Sequence, residues 1–141
     1  SMMAEARRFS GGGGRSLRFG VTTGLRPLPS WKREADFLMT QVSFSLDDLL
    51  RWRDTVPFDG PVYAGVMVIA SPAMARKLSA GIPELAVPRA VVERVEGDSG
   101  AGIALAHDLV RAVRDSGAFA GVHLVPVARY REMAALLEQP L

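Results

Sequence analysis

Gln41 is the most informative polar side chain in the sequence, because of where it lies. It follows an apolar, strand-forming run in ADFLMTQVSF, residues 35–44, just before a helix start at Ser45. A buried polar group without a partner costs about 1 to 3 kcal/mol. Gln41 is therefore exposed, paired with local backbone, or engaged in binding. The alternative to a binding role is an amide that caps the end of a strand.

Arg129, His123 and two acidic residues are further candidates for chemistry. Arg129 begins a predicted helix, where it is either solvated or available to a carboxylate. His123 lies in an apolar strand, a position more typical of a packed core histidine than of an acid or base. Asp47 and Asp48 are adjacent on a predicted helix and point in different directions, so they favour helix capping over a catalytic carboxylate pair.

Composition excludes several classes of protein. The chain has 141 residues, of which 48% are hydrophobic and 23% charged, values that suit one globular domain. Its net charge of +2 comes without a lysine-rich block, which argues against nucleic acid as a partner. It has no cysteine, so disulfides and thiolate chemistry are excluded, and we predict no metal site. No run of about 18 apolar residues occurs, so we expect a cytoplasmic protein with no membrane partner.

Apolar strand-like runs alternate with amphipathic helical stretches along the chain. We predict strands over 18–23, 35–42, 61–69 and 121–127, and helices over 45–56, 72–79, 88–96, 101–116 and 129–138. This alternation predicts an α/β protein with a parallel sheet. The sheet could be open and doubly wound or part of a (β/α)8 barrel, and the chain is roughly half the length of a full barrel of about 250 residues. The residues before the sheet, 1–17, read as a flexible arm with a Gly-rich joint, which leaves 18–141 as the domain.

Several segments, in this order, resemble one known family. They are ADFLMTQVSFSLDDLLRWRD, GPVYAGVMVIASPAMARKLS, IPELAVPRAVVERVE, AGIALAHDLV and GVHLVPVARYREM. The chain resembles the second half of methylenetetrahydrofolate reductase over about residues 19 to 138. That family is a flavin-dependent (β/α)8 barrel, so the resemblance implies a (β/α)4 half of a TIM-type barrel that contains strands five to eight.

The resemblance also implies roles for individual residues. Gln41 matches the glutamine that contacts folate and nicotinamide, and Arg129 matches the arginine near the glutamate tail of folate. Thr23, Lys32 and His123 are the implied cofactor-binding residues, with FAD as the cofactor and NAD(P)H as the reductant. The family's flavin-holding segment is replaced here by TTGLRPLP, which weakens the expectation of FAD. No catalytic residue is assigned, because the family's acidic residues belong to the first half of the barrel.

The expected function is that of an oxidoreductase half-barrel that faces folate and is not active alone. The alternative is a non-catalytic folate-binding or assembly domain. A half-barrel has two unpaired sheet edges, here the strands at 18–23 and 121–127, so we expect closure by a homodimer or by a complementary half-barrel chain. We expect an apolar concave face, formed by a set of strand residues or their neighbours: Val21, Leu38, Val66 and Val125.

Overall fold

The computed structural model describes residues 4, 5, 8, 17–81, 85, 87–98 and 100–139. The strands are β1 (Gly20–Thr23), β2 (Phe37–Ser43), β3 (Val62–Met67) and β4 (Gly121–Val125). The helices are α1 (Leu46–Thr55), α2 (Pro72–Gly81), α3 (Arg89–Gly97), α4 (Ala101–Ser116) and α5 (Tyr130–Leu137). The predicted arm over 1–17 lies almost wholly outside the described residues.

The four strands form one sheet in the order β1-β2-β3-β4, and every neighbouring pair is parallel. The predicted α/β class and the parallel sheet are confirmed. Within the loop predicted after β1, the structure adds a short 3-10 helix over Ser30–Glu34. The prolines of this segment pointed to a loop, and they do not exclude a single tight turn after Pro29.

Local signals explain where α1 and α2 begin and where α4 ends. The Ser45 hydroxyl accepts a hydrogen bond from the Asp48 backbone N–H at 3.3 Å at the start of α1. Ser71 does the same for the Met74 N–H at 3.1 Å at the start of α2. Helix α4 ends at Gly117, whose φ of 68° is left-handed and suits glycine. These three signals were readable from the sequence, and all five predicted helices agree with the structure to within two residues.

One face of the sheet carries the core. Its side chains pack against α1, α4 and α5, and the most deeply buried are Leu38, Ala64 and Val66, each with 0% exposure. Leu38 and Val66, which were expected on the concave face themselves or through their neighbours, lie instead on this helix-covered face. The register shows that the neighbours take that position, because Leu38 pairs with Val62 on the helix side and Met39 pairs with Tyr63 on the other.

The opposite face of the sheet is largely uncovered in the described chain. Thr22 and His123 are exposed on it, and Met39, Tyr63 and Val125 are half-buried. A doubly wound sheet would have helices on both faces. Helices on one face and an open second face are the arrangement of half of a TIM-type barrel, whose open side corresponds to the barrel interior. Among the described residues, no helix is both long and apolar enough to cross a bilayer.

Candidate functional site

A groove of about 470 Å³ lies where the strands end and opens onto the uncovered face of the sheet. We call it the carboxyl-edge groove. Four residues predicted from the sequence line it: Thr23, Lys32, Gln41 and His123. They come from β1, the 3-10 helix, β2 and β4, so parallel pairing of the strands is what brings them together. Further lining residues are Thr22, Gly24, Thr40, Val42, Met67 and Leu85.

Gln41 lies between this groove and a second, smaller hollow. The second hollow has a volume of about 230 Å³, shares Gln41 with the first, and extends over the start of α1 past Arg26, Ser45 and Asp48. Among the described residues the Gln41 side-chain amide makes no hydrogen bond. The geometry therefore does not correspond to an amide that caps local backbone. A carboxamide is both donor and acceptor, so Gln41 can bind a ligand in either hollow.

Lys32 is the basic group of the groove. Its ammonium donates a hydrogen bond to the Thr22 backbone oxygen at 2.9 Å and lies 5.4 Å from the centre of the Trp31 ring. An ammonium has three donors, and this contact uses one of them. No described lining residue of the groove is acidic, so the local charge favours an anionic or electron-rich ligand.

Thr23 and His123 lie in different environments. Thr23 is buried, with 5% exposure, and its hydroxyl donates to the Gly24 oxygen at 3.2 Å. His123 is exposed and lies opposite Gly65 in the neighbouring strand. The interpretation of His123 as a packed core histidine is wrong, because its strand is covered by helices on one face only and His123 is on the other.

Arg129 lies at the same end of the sheet but does not line the groove. Its guanidinium pairs with the Glu132 carboxylate at 3.0 Å and also contacts the Ala70 backbone oxygen at 3.5 Å, after β3. The structure therefore places Arg129 on the rim, beyond the four groove residues. Sequence reasoning missed Arg26, which lines the second hollow; its place in the loop directly after β1 was the available signal.

Met74 and Leu78 are two partly buried residues of α2. Their side chains pack against a buried cluster at the end of the sheet that includes Ile69, Ala75 and Val95. They serve the core here and are not among the described lining residues of the groove.

Comparison with models of known protein families gives a match. Residues 32–140 match the family described as methylenetetrahydrofolate reductase, and this segment contains β2 to β4 and helices α1 to α5. A comparison with curated proteins finds no match. The matched segment covers most of the 141 residues and includes three of the four predicted groove residues. The chain belongs to the methylenetetrahydrofolate reductase family.

Proposed function

We propose that the carboxyl-edge groove binds a folate-type ligand and that the chain supplies the folate-facing half of a methylenetetrahydrofolate reductase-like enzyme. The observation that carries the proposal is the Gln41 amide, which lines both hollows and has no hydrogen-bond partner among the described residues. A pterin ring presents alternating donors and acceptors along its edge, which one carboxamide can match in both directions.

The shape and chemistry of the groove support a flat, partly apolar ligand. Its volume is within the range of about 300 to 1,000 Å³ typical of small-molecule sites. Val42 and Met67 supply apolar contact area, and Met adapts well to aromatic surfaces. Arg129, on the rim, suits the carboxylate of a folate glutamate tail, although it would exchange its contact with Glu132 to reach one.

The proposed reaction is reduction of 5,10-methylenetetrahydrofolate to 5-methyltetrahydrofolate with electrons from NAD(P)H. A bound FAD would supply hydride transfer between the nicotinamide and the folate. The groove fits the ring part of such a cofactor, with Thr23, Lys32 and His123 as the residues that would hold it. Lys32 is the one cation among the described lining residues, so the diphosphate of FAD would need further positive charge from outside the groove.

We propose that the chain alone is not active, and that a second copy closes the open side of the half-barrel. Strands β1 and β4 are the two edges of the described sheet, and two copies about a two-fold axis would place β1 of each beside β4 of the other. The uncovered face, with Met39, Tyr63 and Val125, would then become the interior. A complementary half-barrel chain is the other occupant that the test below distinguishes.

Folate binding is tested by isothermal titration of the purified chain with 5-methyltetrahydrofolate. We expect Gln41→Ala to raise the Kd about tenfold, as loss of one ligand hydrogen bond does. The unfolding temperature should be nearly unchanged, because Gln41 is half-buried and makes no side-chain hydrogen bond among the described residues. Gln139→Ala is the matched control, since Gln139 is exposed beyond α5. A Kd that is the same for both variants would refute the proposal.

The same preparation separates the two functional alternatives. No acidic side chain lines the described part of the groove, so an enzyme would take its acid or base from the other half of the barrel, whereas a folate-binding domain without chemistry of its own needs none. A yellow protein that oxidises NAD(P)H in the presence of 5,10-methylenetetrahydrofolate would identify a reductase. A colourless protein that still binds folate would identify the binding domain.

A further inference from the structure

We infer that Thr40 is a positioning residue: its hydroxyl, together with Gly65, holds a bulge in β2 that presents Gln41 to the carboxyl-edge groove. The part of this inference that concerns a ligand rests on the proposed folate site. The bulge itself stands on the geometry of the two strands.

The register between β2 and β3 shows where the bulge lies. Met39 pairs with Tyr63 and Val42 pairs with Gly65, so three steps along β2 match two steps along β3. The extra residue falls within Thr40–Gln41. In a regular strand, side chains two residues apart share a face and side chains three apart do not. Met39 and Val42 are three apart and still share a face, because the bulge adds one residue between them. The bulge therefore turns Val42 towards the groove, next to Gln41, and leaves Ser43 on the helix side.

The Thr40 side chain occupies a position in the ladder that a backbone carbonyl normally takes. Its Oγ1 accepts a hydrogen bond from the Gly65 backbone N–H at 2.9 Å and donates one to the Gln41 backbone oxygen at 2.9 Å. Thr40 is only 3% exposed, so water cannot replace these bonds. The hydroxyl thus ties the backbone of Gln41 to the centre of β3.

Gly65 supplies the space that this arrangement needs. A Cβ on Gly65 would lie 2.6 Å from the Thr40 backbone carbonyl oxygen. It would lie 3.0 Å from both the Gln41 carbonyl carbon and the Val42 backbone nitrogen. All three are backbone atoms, so none can rotate away. At the bulge, the backbone of β2 passes close to Gly65 on the groove side of the sheet. The Gln41 side chain extends from this part of the backbone and lines the groove.

The test compares Thr40→Val, which keeps the shape and removes the hydroxyl, with Thr40→Ser, which keeps the hydroxyl. Two measurements are made on each: amide hydrogen exchange at Gly65 by NMR, and the Kd for 5-methyltetrahydrofolate. We expect Thr40→Val to exchange the Gly65 amide faster and to raise the Kd about tenfold. Thr40→Ser should restore both to within about twofold of the parent chain. In the parent chain, a slowly exchanging Thr40 hydroxyl proton should show a nuclear Overhauser effect to the Gly65 amide.

A double variant separates positioning from other effects. If Thr40 acts through Gln41, Thr40→Val should add no loss of affinity to a chain that already carries Gln41→Ala. An added loss in that background would overturn the inference, as would an unchanged Gly65 exchange rate in Thr40→Val. If the parent chain binds no folate, the proposed function fails, while the Gly65 exchange rate and the Thr40 hydroxyl signal still decide whether the bulge is held in this way. Absence of that hydroxyl signal overturns the inference even where Thr40→Val does not fold.

Discussion

The start of α4 packs so closely against the end of β3 that Gly102 should not tolerate a side chain. An ideal Cβ on Gly102 would lie 2.9 Å from the Ile69 carbonyl carbon and closer still to its oxygen. Ile69 is 2% exposed and lies two residues beyond β3, so its backbone is fixed by the sheet. Gly102→Ala must therefore push α4 away from the sheet or twist the strand end.

The size of the effect follows from two opposing terms. Overpacking a dense site costs about 1 to 3 kcal/mol, and a contact with backbone belongs at the upper end. Replacing glycine by alanine inside a helix returns about 1 kcal/mol. The net expectation is a loss of about 2 kcal/mol in the free energy of unfolding, or a fall of about 8 °C in the unfolding temperature of a chain of this length.

Urea unfolding followed by circular dichroism measures this difference. Gly97→Ala is the matched control, because Gly97 is also next to a helix terminus, as the last residue of α3, and no described atom outside its own helix backbone and chain neighbours lies within 4 Å of its ideal Cβ. It should be neutral or more stable by up to about 1 kcal/mol. If Gly102→Ala proves as stable as Gly97→Ala, α4 does not approach Ile69 as described and the packing argument fails.

Two further predictions concern the strained loop after β4 and the open face of the sheet. Val127 has a φ of 54°, a left-handed conformation that is unfavourable for a β-branched residue, and it is 46% exposed. Val127→Gly should therefore raise the free energy of unfolding by about 1 kcal/mol, and a loss of stability would mean that the strain is absent. Light scattering after size exclusion should give the mass of two chains for the parent, and Met39→Glu, which places a charge on the uncovered face, should shift it towards one chain. Ala104→Glu, on the exposed side of α4, is the control and should not alter the mass; a parent chain that is a monomer at micromolar concentration refutes the two-copy closure.

The sequence by itself determined the order and class of the elements. The caps at Ser45 and Ser71 and the glycine stop at Gly117 are local signals, because each satisfies hydrogen bonds or φ within a few residues of itself. The alternation of strands and helices then required a parallel sheet. That sheet gathers residues at its carboxyl edge, which is why Thr23 and Gln41, near the ends of β1 and β2, could be foreseen as neighbours in one groove.

The tertiary structure alone decided which side of each strand faces the core. A strand that is apolar on both faces has no period-2 signal, so Leu38 and Met39 could not be told apart from the sequence. The bulge was hidden for a related reason, because a threonine in a strand is ordinary and only the pairing with Gly65 reveals the extra residue. Long-range packing also fixed Arg129 on the rim, where its contact with the Ala70 backbone oxygen depends on how the start of α5 lies against the end of β3.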